Sequence, residues 1–216
     1  QSAAFADKNV GTGKSVSVSG ISLGGADAGN YSLQNTTAST TADITAKTLT
    51  ASYVGSNKVY DATTSASVTG SSSDIISGDT VSFSQSAAFA DKNVGAGKSI
   101  SITGISLGGT DAGNYALQNT TASTTANITQ ASLSVTGATA ANKVYDATTG
   151  ASVTGGVVTA LGSDSVSLSA ANASFADKNV GSAKAITTAY SLSGTDAANY
   201  NLVQASGLTA DITPAI

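Results

Sequence analysis

The stretch FADKNVGAGKSISITGISLGGTDAGNYAL, residues 89–117, carries the local pattern from which the fold can be read. Within it Ile100 and Ile102 fall on one parity, whereas Ile105 and Leu107 fall on the other. Strand side chains alternate with period two, so the flip between Thr103 and Gly104 predicts a bulge or turn inside an extended run. The same flip separates Val18 from Ile21.

Working outward, the pieces of this stretch recur. FADKNVG stands at residues 5–11, 89–95 and 175–181. Tyr31, Tyr115 and Tyr200 close the equivalent segments GADAGNYSL, GTDAGNYAL and GTDAANYNL, spaced by 115 − 31 = 84 and 200 − 115 = 85 residues. NKVYDATT recurs at 57–64 and 142–149, again 85 apart. Self-similarity at a fixed period indicates an array of like building blocks. A unit of about 85 residues is large enough for one two-layer core.

Each copy reads as short alternating runs separated by Gly, Asn and Asp. Leu49, Ala51 and Tyr53 share a face of a first strand, as do Leu133 and Val135. Tyr60, Ala62, Thr64, Ala66 and Val68 share a face in a second extended stretch. Val81 and Phe83 follow in phase with Ala87 and Phe89, and Ala126 with Ile128 marks a last strand. No helical periodicity is evident. Strands and turns every 8–12 residues predict an all-β sandwich.

The pattern Asp-x-Gly-x-Tyr-x-Leu at 27–33 and 111–117 matches the tyrosine corner of immunoglobulin-like sandwiches. There the hydroxyl bonds to backbone a few residues upstream, two residues before a core position. Leu33, Leu117 and Leu202 hold that position here, and Ala198 replaces the Gly in the third copy. The expected architecture is thus tandem immunoglobulin-like repeats: 131–216 and 47–130 complete, 1–46 the C-terminal half of a preceding one. Half a sandwich cannot bury its own inner face. The sequence is accordingly expected to be a window on a longer array. Only four residues separate Ile128 from Leu133, with no Gly-Ser or Pro-rich linker. Such short joins predict a stiff, elongated rod. The third copy carries one extra residue within 169–174, read as a bulge or longer turn.

Composition narrows the function. All 13 acidic residues are Asp and all nine basic ones are Lys, for a net charge of −4. Nucleic acid needs a basic face and an anionic membrane a polybasic patch; neither is present. No apolar run approaches the roughly 18–20 residues that span a bilayer. Without Cys there is no disulfide framework, and without Cys or His the usual zinc ligands and the commonest general base are missing. No Gly-x-Ser-x-Gly elbow or Ser-x-x-Lys pair sits in a suitable context. An enzyme is not expected, and no catalytic, cofactor or metal residue is assigned.

Several chemistries remain to be weighed. FADKNVG itself reads as an inward Phe anchor followed by a turn, with a weak ligand contact as the rival reading. Calcium would find its best cluster at Asp27 with Asn30 or Asp111 with Asn114, but no DxDxDG loop exists. An isopeptide bond of the kind found in surface-adhesin sandwiches would join Lys58 or Lys143 to Asn127 or Asp211. Parity turns Asn127 outward, between inward Ala126 and Ile128, and there is no Glu to serve as the acid. TTASTTA at 36–42 and 120–126 raises ice or carbohydrate binding, yet it occurs only once per unit. Sequon-type tripeptides begin at Asn35, Asn119 and Asn172.

KVYDATTSA, residues 89–117 and ANIT, occurring in that order, resemble the YDG/MBG-type bacterial immunoglobulin-like repeats. Those occur in large filamentous-haemagglutinin-like adhesins exported by two-partner secretion. The resemblance implies a Gram-negative cell-surface or secreted location and a role in adhesion or biofilm, with no catalytic residues. Here the tripeptide reads Tyr60-Asp61-Ala62 and Tyr145-Asp146-Ala147, which argues against a strictly glycine-dependent turn. Cys-free modules with small side chains suit passage through a pore and folding outside without oxidation. The expected role is a structural stalk or spacer, partnered by other repeats of the same chain and able to self-associate into filaments or bundles. The alternative is a repeated weak binding module for a glycan, a matrix polysaccharide or calcium, with avidity from repetition.

Overall fold

The computed structural model describes every residue except Ala171. The chain is all-β, with 51% of residues in strands and 4% in helix, the latter as three single 3-10 turns. Two compact units are formed: unit 1 comprises 1–54, 68–87 and 101–124, and unit 2 comprises 55–67, 88–100 and 125–216.

In unit 1, strands Ser2–Phe5, Gly11–Ser19 and Ala38–Ile44 form an antiparallel sheet in that order. The register shifts between Gly11 and Lys14, where Asp43 accepts a hydrogen bond from the Gly13 N–H at 2.7 Å. Lys47–Leu49 pairs in parallel with Tyr115–Leu117, placing Leu49 opposite Leu117. Leu49, Ala51, Ile102, Ile105 and Tyr115 are buried. The face shared by Leu49 and Ala51 is the one read from the alternation, and Tyr53 stacks edge-on against Phe83 at 6.2 Å.

The parity flip has the expected cause. Gly104 adopts φ +64°, so Ile102 and Ile105 both turn inward from the single strand Gly95–Gly108. A left-handed residue costs an L side chain roughly 1–2 kcal/mol, which glycine avoids. Gly20, at φ +65°, stands at the corresponding flip before Ile21.

In unit 2, Lys143–Val144, Thr209–Thr213, Gly181–Ala189 and Asn172–Phe175 form a sheet in that order. Its first pair is parallel and the others antiparallel. Phe175, Ile186, Ala210 and Ile212 form the centre of its core, with Tyr145, Val153 and Leu208 packed around them. Ala131–Ser134 runs parallel to Tyr200–Val203. Lys58 and Val59 run parallel to Ile128 and Thr129, as Lys143 and Val144 do to Ile212 and Thr213.

The second extended stretch differs from its reading. Strands Lys58–Val59 and Val68–Ser71 are separated by a turn. Asp61 accepts from the Thr63 N–H at 2.9 Å, while the Lys58 ammonium donates to Asp61, Thr63 O and Ser65 O at 2.8–2.9 Å. Alternation cannot reveal a lysine that wraps its own loop. Lys143 repeats the arrangement with Asp146, Thr148 O and Gly150 O. The extra residue of the third copy falls in 169–174, which includes Ala171 and so lies partly outside the described residues.

Candidate functional site

FADKNVG is a turn that also grips the next copy of the sequence. Its Phe is the anchor expected in two of the three copies: Phe89 and Phe175 are buried, with Lys58 and Lys143 over their rings at 5.4 and 5.7 Å, whereas Phe5 is 39% exposed. Its Asp closes the turn, since Asp91 accepts from the Asn93 N–H at 2.8 Å and pairs with Lys98 at 2.7 Å. Asp7 and Asp177 do the same with Lys14 and Lys184. The Lys-Asn-Val that follows points elsewhere.

In unit 2, Lys92 bridges Asp164, with which it forms a hydrogen-bonded ion pair, and Asp196 at 2.9 Å. The Val94 N–H donates to Asn199 Oδ1 at 2.9 Å, and Asn199 Nδ2 donates to Asn93 Oδ1 at 3.2 Å. Tyr60 and Tyr200 each donate a hydroxyl to Asp164 Oδ2 at 2.6 Å. Their rings meet edge-on at 5.4 Å, and the Asp164 side chain is only 1% exposed. A carboxylate so enclosed is tolerable because both of its oxygens face donors, one of them a cation.

Unit 1 repeats the clamp. Lys8 bridges Asp79 and Asp111, the Val10 N–H donates to Asn114 Oδ1 at 2.9 Å, and Asn114 donates to Asn9 at 3.2 Å. Tyr115 donates to Asp79 at 2.6 Å and accepts from the Ile76 N–H at 2.9 Å. In the third copy no carboxylate lies within ion-pair distance of Lys178 among the described residues.

Charge follows geometry. Burial pushes the Asp164 carboxyl up, but Lys92 and the two phenols outweigh it and hold it below the ordinary carboxylate value. Hydrogen bonds from Lys8 lower Asp79 and Asp111, and one from Lys92 lowers Asp196. Lys8 and Lys92 are both raised, chiefly by those same carboxylates. Burial, then the hydrogen bond to Asp164, pushes the Tyr200 phenol up to about 12.

The tyrosine corner takes a different form from the one expected. Tyr115 and Tyr200 reach backbone 39 residues upstream, at Ile76 and Leu161, rather than a few residues away. Tyr31, the first of the three, is 73% exposed. Of the residues considered for calcium, Asp111 and Asn114 serve the clamp: Asp111 takes Lys8 and the Thr80 N–H, and Asn114 takes Val10, whereas Asp27 and Asn30 belong to neither clamp. Among the described residues no group of three or more His, Cys, Asp or Glu is poised to hold a metal. Lys58 and Lys143 are engaged in their own loops, whereas Asn127 and Asp211 accept from the Gly97 and Ala183 N–H groups at 2.7 Å.

Three clamp residues escape a reading by motif. Asp79 and Asp164 lie in dissimilar loops, Gly-Asp-Thr and Ser-Asp-Ser, and Tyr60 belongs to a motif of its own. The available signal is spacing: Asp79 and Asp164 stand 164 − 79 = 85 residues apart, the period of the array.

In both clamps residues of one FADKNVG copy meet the Asp-x-x-Asn-Tyr segment of the next, on an all-β scaffold. A profile of the YDG domain matches residues 1–40, 45–124 and 129–207, and the chain belongs to the YDG domain family. No curated protein and no solved structure matches it.

Proposed function

We propose that the chain is a stalk or spacer segment of a large bacterial cell-surface or secreted adhesin or extracellular filament, built of immunoglobulin-like modules in a stiff rod. One observation carries this reading. The residues the sequence repeats most faithfully, Lys-Asn-Val of FADKNVG and Asp-x-x-Asn-Tyr, are spent on gripping one another across successive copies. A motif retained for a soluble ligand would leave its polar groups free. These are paired, and pairing at every join restricts bending.

Small-angle scattering of the chain in chelator tests this. Modules of about 35–40 Å follow from strands of 10–12 residues, so a rod gives a radius of gyration of about 26–29 Å. A compact globule of this length gives about 17 Å. A value near the lower figure would sink the spacer reading.

A further inference from the structure

The two clamps differ in one respect. In unit 2 the clamp is completed by Tyr60, 2% exposed, whose N–H donates to Thr129 O at 2.8 Å and whose hydroxyl reaches Asp164. Tyr60 arrives on the strand Lys58–Val59, which runs parallel to Thr121–Thr129 with Lys58 opposite Ile128. In unit 1 the corresponding place is an open cavity of about 260 Å³. Its walls include Lys8, Thr45, Ile76, Asp79 and Tyr115. These stand 84 or 85 residues before Lys92, Thr129, Leu161, Asp164 and Tyr200 (92 − 8 = 84; 164 − 79 = 85), of which four meet Tyr60 directly and Leu161 donates its N–H to the Tyr200 hydroxyl.

Three further facts mark the cavity as a seat. Asp79 Oδ2 holds one tyrosyl donor where Asp164 Oδ2 holds two. The Lys8 side chain is 60% exposed against 32% for Lys92. Ala38–Ile44 is paired only along its Gly11–Ser19 side, and no backbone donor reaches Thr45 O among the described residues.

We propose that this cavity and strand edge form a receptor for a tyrosine-bearing segment of the Asn-Lys-Val-Tyr-Asp type. The segment adds as a parallel strand beside Ile44 and Thr45, and its phenol donates to Asp79 under the Lys8 ammonium. Backbone pairing supplies affinity and the phenol supplies specificity, as in other strand-addition sites. The proposal stands whether or not the chain is a spacer, since it concerns only one site and its ligand.

The test is a titration of the isotope-labelled chain with the capped peptide SNKVYDATTSA, the sequence of residues 56–66, followed by amide NMR. Ordering a free peptide costs several kcal/mol, so modest affinity is expected. Saturable one-to-one binding with a Kd below about 1 mM is predicted, with shifts centred on Thr45, Ile76 and Tyr115. A peptide carrying Ala in place of the tyrosine should bind at least tenfold more weakly, as should the native peptide to an Ile76→Trp chain. Ile76 is 54% exposed, so that change narrows the cavity without touching the core. No shift at millimolar peptide, shifts confined to unit 2, or binding indifferent to the tyrosine would each overturn the proposal.

Discussion

Ala62 and Ala147 occupy the third position of the tripeptide that gives the family its name, and they sit at φ 61° and 65°. Alanine at these positions argues against a turn that strictly depends on glycine. The backbone nonetheless adopts the glycine-type conformation, in loops that Lys58 and Lys143 draw around their ammonium groups. Only one other non-glycine among the described residues, Ala183, has positive φ. Replacing Ala62 or Ala147 by Gly removes the steric penalty and adds a smaller entropic one. Each substitution is expected to raise stability by about 0.5–1 kcal/mol in urea denaturation, with an unchanged slope. A loss of stability would show that the left-handed alanine carries no strain.

Among the elements, strands and the parity flip followed directly from the alternation of Ile100, Ile102 and Ile105. The turn within 60–68 did not, because a lysine folded over its own loop leaves no periodic trace. Nor did the clamp: Lys92 looks like part of a turn until its partners, over 70 residues away, are brought beside it. The same chemistry makes a sharp comparison. Lys92→Met leaves the enclosed Asp164 carboxylate without its cation, whereas Lys178→Met removes a charge that faces no carboxylate. Calorimetry should show a clearly lowered melting midpoint for the first and none for the second. Equal effects would mean the ion pair contributes nothing beyond surface charge.

Across the chain, the absence of His, Glu and Cys leaves few groups to titrate near neutrality. Asp79, Asp111, Asp164 and Asp196 all have folded values below the ordinary 3.8. Groups depressed by folding stabilise above their unfolded value and lose that contribution as pH falls through the folded one. The melting midpoint should therefore be level from about pH 5 to 8 and fall below about pH 4. Tyr200, raised to about 12, acts in the opposite sense and weakens unit 2 only as pH climbs from about 10 towards that value. A midpoint that varied through neutrality would contradict this assignment. Composition thus carried the pH behaviour plainly, while the partners that set it required the fold.

The strand Lys47–Leu49 and its counterpart Ala131–Ser134 lie parallel to Tyr115–Leu117 and Tyr200–Val203. Tension arriving along the chain would drag such a strand lengthwise past its neighbour. All the hydrogen bonds of the pair would then bear load together, instead of parting one after another as in a hairpin pulled open from its end. Parallel pairing at these positions makes the chain resist traction in a way its equilibrium stability does not disclose.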